Sequence, residues 1–407
     1  MSSYTEEHIK SAEEAVLGGM GIRQASRDWG IPHATLYGRL GGGGTRKEAK
    51  ALYQRLTPTQ EASLVSWVTT QGSLGVAPTH KQVNELASRI VRAGGDTRPL
   101  GRKWMEGFLR RNPVIKTLKV RAIDSKRVKD VNAAVIKDLF KIFDLLEVKD
   151  IPLSLRWNID ETGLIEGSDG DYLVLGKPQR RAVYVQASKN RVWTTILECI
   201  SATGQTTPPL VIFTGQSVQQ QWFPLEMSDF ASWQFTASTN GWTSNAIGLE
   251  WLKKVFIPHT AAEAKRLRSK RLLVIDGHGS HVSDDFMWLC YCEQIYLACL
   301  PAHSSHVTQL LDVSIFSPLK KAFYGATRDC GLLLNSAPIG KQNFLRCYLQ
   351  ARNDAFITRN IRAGWLATGT YRRTQGTPVG SPVTRSTQNT ITVHYHYSHQ
   401  VGRPPKV

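Results

Sequence analysis

The chain has 407 residues, room for two or three cores, and carries 51 Lys or Arg against 33 Asp or Glu, a net charge of +18. That excess favours a polyanionic partner over a neutral small molecule, and nucleic acid is the first candidate. No apolar run reaches the roughly 18 residues that a membrane-spanning helix needs, which excludes a membrane protein of that kind. The six cysteines include no CxxC pair, and the N-terminus carries Glu6 and Glu7 without an apolar signal segment, so a reducing interior compartment is expected.

The charge is concentrated early: residues 1–130 hold 22 Lys or Arg against 12 Asp or Glu. A first helix is predicted from an N-cap at Thr5, with Glu6 and Glu7 at the positive end of its dipole, Ile9, Ala12 and Val16 on one face, and Gly18-Gly19 as the stop. Short helices follow over Ile22 to Trp29 and Pro32 to Leu40. Three short helices with glycine turns suggest a helix-turn-helix, in which the last helix enters the major groove. His33, Thr35, Tyr37 and Arg39 are then the groove-facing or phosphate-facing candidates, although a plain helical bundle fits the pattern as well. The glycine run 41–44 and the charged stretch 45–50 read as a linker.

A second helical unit opens with Thr57, Pro58 and Gln60 as N-cap, first-turn proline and capping-box partner. Thr79 and Gln82 repeat the signal. Val83, Leu86, Ala87, Ile90 and Val91 then give the strongest helical periodicity in the chain, ended by Gly94-Gly95. A third helix carries Trp104 and Phe108 as core residues and stops before Pro113. The flanking Arg102, Lys103, Arg110 and Arg111 are placed for phosphates, where they add salt-dependent affinity without sequence information.

From about residue 150 short apolar runs alternate with helix-like stretches, as in an α/β domain. Leu153, Leu155, Trp157 and Ile159 alternate, predicting a strand that ends on Asp160-Glu161-Thr162-Gly163; further strands are predicted at 183–187, 193–200, 210–214 and 272–275. The last is wholly apolar, hence central, and runs into Asp276. Asp312 precedes a predicted helix with Ser317 as N-cap and Pro318 at the first position. An Asp at the mouth of a buried strand needs compensation by a cation or a hydrogen-bonded turn. Convergent carboxylates without Cys or His ligands suit Mg²⁺, and two such ions about 4 Å apart can support phosphoryl transfer on DNA.

The sequence blocks Asn158-Ile159-Asp160-Glu161-Thr162-Gly163, Val274-Ile275-Asp276-Gly277-His278-Gly279-Ser280-His281, and Leu300-Pro301-Ala302-His303-Ser304-Ser305-His306 leading to Gln309-Leu310-Leu311-Asp312-Val313 resemble the three catalytic blocks of the pogo-like transposases of the mariner superfamily. Residues 5–40 resemble the pipsqueak-type helix-turn-helix and residues 56–113 the centromere-protein-B-type DNA-binding domain, in the order that family uses. The 35 residues between Asp276 and Asp312 resemble the spacing of its fungal members.

The resemblance implies a multidomain chain of N-terminal all-α helix-turn-helix units and an α/β ribonuclease H-like catalytic domain. The expected boundaries are 1–41, a linker at 42–55, 56–115, a connector at 116–150, 151–370 and a tail at 371–407. It further implies that Asp160, Asp276 and Asp312 are catalytic metal ligands for two Mg²⁺ or Mn²⁺ ions. Transposon terminal inverted repeats and target DNA would be the partners, a homodimer the DNA-bound form, and the nucleus the location. A DNA-binding descendant that no longer cuts is the alternative.

Two departures stand out: Leu310 occupies a place where the family usually has proline, and beyond Gly369 the family's proline-containing pattern gives way to a Thr, Ser, Gly, Pro and Gln-rich tail. The His278, His281, Cys290 and Cys292 group, the His303 and His306 pair, and the trio His394, His396 and His399 lack familiar zinc spacings. The basic run Lys265 to Arg271 reads equally as an import signal, a DNA-contact helix or a solvated face.

Overall fold

The computed structural model describes residues 4–45, 54–119, 141–166, 192–276, 283–300, 308–333 and 340–368. The predicted strand at 183–187, His278, His281, His303, His306 and the tail with its three histidines lie outside them.

Helices α1 (Glu6–Leu17), α2 (Ile22–Asp28) and α3 (His33–Leu40) enclose a small core of Ile9, Ala12, Ala25, Ile31 and Leu36. Thr5 caps α1 by accepting from the His8 N–H at 3.3 Å, and the His8 ring accepts from the Thr5 N–H in return. Helices α4 (Pro58–Ser73), α5 (His80–Ala93) and α6 (Trp104–Arg111) form the second unit. Both of its capping boxes are made: Thr57 with Gln60 and Thr79 with Gln82 exchange reciprocal backbone bonds. The apolar stripe of α5 is buried along its whole length.

After the short α7 (Leu146–Lys149), the α/β domain is built on β1 (Arg156–Ile165), β2 (Trp193–Ser201), β3 (Leu210–Thr214), β4 (Gln234–Ser238), β5 (Arg271–Ile275) and β6 (Ile295–Cys299). The sheet order is β4-β3-β2-β1-β5-β6. β1, β2 and β3 form an antiparallel meander, and β5 and β6 add in parallel on the far side of β1. That arrangement is the ribonuclease H-like topology, with β4 as a parallel addition beyond β3. All five residues of β5 are buried, as a central strand covered on both faces requires.

Between strands run α8 (Asn245–Trp251) and α9 (Ile257–Leu267), joined by a π-helical turn at Leu252–Phe256, and α10 (Asp284–Cys292). A second π-helical turn, Asp312–Phe316, leads into α11 (Ser317–Leu333), followed by α12 (Lys341–Ala355) and α13 (Thr358–Ala367). No described helix is long and apolar enough to cross a membrane.

Two expectations about element ends are corrected. Leu153–Leu155 is a 3-10 turn rather than strand, and β1 runs through Asp160 to Ile165 instead of ending at the acid. Cross-strand pairing with β2 over all of Trp157 to Ile165 carries the strand onward. Ser317 is not an N-cap: helical backbone already includes Leu311, so Asp312 lies inside the first turns. Both π-helical turns end two residues before a proline, Pro258 and Pro318. A proline lacks the N–H and its ring crowds the carbonyl four residues back; a widened turn relieves both, so the helix passes through.

The second helical unit shares one continuous hydrophobic core with the α/β domain. Strand β6 is the sheet edge, and α4 covers it: the buried Gln71 amide, oriented to suit its partners, donates to Leu297 O at 3.2 Å and accepts from Leu297 N at 3.0 Å. The Cys299 N–H donates to Leu74 O at 3.0 Å. Gly75 makes the turn there at φ +81°, a left-handed backbone that favours glycine. Arg89 reaches Asp285 on α10 at 2.6 Å. Replacing Gln71 with Ala strips both Leu297 groups of their partners in a buried place. We expect a loss of about 1–3 kcal/mol in chemical denaturation of the full chain, and stability within ~0.5 kcal/mol of wild type would show that the edge is not held in this way.

Candidate active site

Asp160 is delivered by β1, Asp276 by the residue after β5, and Asp312 by the π-helical turn. Because β1 and β5 are parallel, both strands bring their acids toward the same edge of the sheet. The three carboxylates lie within each other's electrostatic reach. Burial first, then repulsion from Asp312 and Asp276, pushes the Asp160 carboxyl up to about 8, against hydrogen bonds from the Glu161 N–H and the Gln309 side chain. Asp312 is exposed at its rim, yet burial of its carboxyl and repulsion from Asp276 raise it too, opposed by the nearby Lys320 ammonium. No three His, Cys, Asp or Glu side chains among the described residues close on one point tightly enough to hold an ion alone. The acids therefore share a field without forming a ready-made cage.

The floor of the site is polar and dry. Asn158 and Gln309, both wholly buried, join through a 2.7 Å bond from Asn158 Nδ2 to Gln309 Oε1. Neither was singled out from sequence, because nothing local marks a buried amide whose partner lies 151 residues away. Leu310, standing where the family's proline usually is, is fully buried, and its carbonyl accepts from Ser314 Oγ at 2.9 Å. Behind the turn lies α13, where a Cβ on Gly364 would collide with Ser314. Glu198, on β2 directly opposite Asp160, is fully buried. It is held by Arg352 at 2.7 and 3.0 Å and by the Tyr348 hydroxyl at 2.5 Å, so its charge is already paired.

Residues 190–365 match the family described as DDE superfamily endonuclease. They form a DDE endonuclease domain. Asp276 and Asp312 lie inside the matched segment; Asp160 precedes it and is bound into the DDE domain by the pairing of β1 with β2 and β5. Residues 57–119 match the Tc5 transposase DNA-binding domain and residues 5–48 the Psq helix-turn-helix, both ahead of the DDE match.

Among curated proteins, the chain is 29% identical over 350 residues to a protein named MFS-type transporter clz9 of Cochliobolus lunatus, covering 85% of this chain and 33% of that protein. It is 28% identical over 263 residues to the human pogo transposable element with ZNF domain, covering 64% of this chain and 17% of that protein. The chain thus spans a third or less of both. A solved pre-cleavage Mos1 transpososome chain is loosely similar, at TM-score 0.35 and 9% identity over 90% of this chain and 98% of that one.

On the DNA-binding units the expected contact residues separate. His33 and Tyr37 are exposed and stacked at 6.2 Å on the outer face of α3, and Thr35 is half-buried. Arg39 turns inward, corrected from its expected place toward the groove: Glu6 at 2.5 Å and Glu13 at 3.2 Å hold its guanidinium. Arg102, Lys103 and Arg110 are exposed. Arg111, also exposed, clamps the buried Glu61 at 2.9 and 2.8 Å, together with Asn112 at 2.8 Å. Burial would raise the Glu61 carboxyl, but the Arg111 and Asn112 bonds outweigh it and hold it low. The basic run ahead of β5 is no continuous helix: Arg268 takes a left-handed conformation, Arg266 pairs with Glu263, and buried Arg271 pairs with Glu293.

The raised Asp160 carboxyl links stability to pH. Its folded pKa lies far above the unfolded value near 3.9, so the native state holds the proton more tightly and loses stability as pH climbs from about 4 through about 8. Asp160→Asn should therefore raise the metal-free melting temperature at pH 8 and gain little at pH 4.5. An equal shift at both pH values would remove the electrostatic explanation.

Proposed function

We propose that this chain is a DNA transposase: the two helical units bind transposon ends, and Asp160, Asp276 and Asp312 hold two Mg²⁺ or Mn²⁺ ions for strand cleavage and transfer. The observation that carries the reading is the convergence of three aspartates from separate elements, two of them inside a DDE endonuclease match. Carboxylates that share a field without a closed cage suit hard cations whose remaining ligands are water and phosphate oxygens. When bound, such ions lower the pKa of an attacking water or 3′-hydroxyl and offset charge on the leaving oxygen.

The chain's own residues do the positioning. Asp160 and Asp312 are costly to ionise together without a cation, so cation binding and deprotonation are coupled at this site. Lys320 adds positive charge on the Asp312 side, where a scissile phosphate also gains from it. The exposed Arg102, Lys103 and Arg110 anchor the backbone of the bound end, while the His33 and Tyr37 face of α3 reads the groove. Pairing two ends calls for two copies of the chain, and access to chromosomal target DNA places it in the nucleus.

Purified protein mixed with DNA carrying its own terminal inverted repeats should nick them only with Mg²⁺ or Mn²⁺. Asp276→Asn should lower the rate by at least ~100-fold while leaving end binding intact, since a metal ligand supplies several kcal/mol at the transition state. Binding without cutting in either metal would leave a DNA-binding descendant instead. Alanine at Arg102, Lys103 or Arg110 should each reduce the slope of log affinity against log salt by about 1. An unchanged slope in all three variants would move the phosphate contacts elsewhere.

A further inference from the structure

Backbone pairing between β1 and β5 runs only from Arg156↔Leu272 to Asn158↔Val274, and both acids lie just beyond that last pair. Past it, side-chain amides take over. Asn158 Nδ2 donates to Val274 O at 3.2 Å as well as to Gln309 Oε1 at 2.7 Å, and Gln309 Nε2 donates to Ile159 O at 3.2 Å. The three tie points stand in fixed relation to the acids: Asn158 is two residues before Asp160, Val274 two before Asp276, and Gln309 three before Asp312. Two residues along a strand return to the same face, and three along a helix make nearly one turn. We propose that Asn158 and Gln309 form a neutral bracket that sets the spacing of the three carboxylates, making both of them positioning residues for the cations those acids hold; this rests on the metal-dependent reading above.

Two features favour a role in positioning over one in stability alone. Asn158 Oδ1 is buried and has no partner, a cost that an apolar pair of similar size would not carry. An amide pair is also uncharged: a lysine or arginine there would tie the carboxylates but repel divalent cations, whereas amides orient them and leave their charge available.

The test uses full-length Gln309→Met, Gln309→Glu, Asn158→Leu and the Asn158→Leu/Gln309→Met double variant, with Mn²⁺ alone as probe and thermal stabilisation as readout. Binding of terminal-repeat DNA reports that each variant is folded. The half-saturating Mn²⁺ concentration should rise about 10–100-fold in each single variant. The rise in the double variant should be smaller than the product of the two single-variant rises, because the two residues share one of their bonds. Gln309→Glu keeps the size and an acceptor for Asn158 but loses the donor to Ile159 O, so it should weaken Mn²⁺ binding even if the methionine variant does not fold. A half-saturating concentration within twofold of wild type in folded variants would overturn the bracket while leaving the metal site standing. No stabilisation of the wild-type chain by Mn²⁺ would overturn both.

Discussion

Three carboxylates brought to one edge of a sheet repel one another, and everything around them in this fold manages that repulsion. Asp160 bears most of it, with its carboxyl raised to about 8 by burial and by its two neighbours. On the Asp312 side the Lys320 ammonium opposes the rise. Glu198, the cross-strand partner of Asp160, is held by Arg352 and Tyr348 and adds no unpaired charge. Asp160 and Asp312 are thus costly to ionise together, a cost that divalent cations relieve.

The sheet makes this arrangement possible. Parallel β1 and β5 aim their ends the same way, so acids 116 positions apart along the chain arrive together. The third acid comes from a helix that continues through Pro318 by widening into a π-helical turn, backed by the close approach of Gly364 to Ser314. On the other side, the second helical unit is no tethered accessory. Its α4 seals the β6 edge through Gln71 and Leu74, and the two share one core. A docked unit of this kind carries its exposed Arg102, Lys103 and Arg110 as part of the same body as the acids.

Much of this was legible in the sequence wherever the cause is local. The capping boxes at Thr57 and Thr79, the apolar stripe of α5 and the wholly apolar β5 each declare themselves within a few residues, and all three form as read. The errors arise where a distant partner decides. Leu153 to Ile159 alternates like a strand, but pairing with β2 starts the strand later and carries it past Asp160. Ser317-Pro318 has the form of a helix start, but the packing of α13 on the preceding turn keeps the backbone helical upstream. Arg39 and Arg111 looked like DNA contacts because sequence shows a cation and not the glutamate, distant in the chain, that pairs with it. Asn158 and Gln309 were invisible as a pair for the same reason.

Anomalous diffraction from the full-length protein crystallised on a terminal-repeat DNA end with Mn²⁺ tests the central claim most directly. The account predicts manganese peaks among the carboxylates of Asp160, Asp276 and Asp312. Well-ordered carboxylates in saturating Mn²⁺ with no anomalous peak between them would contradict it.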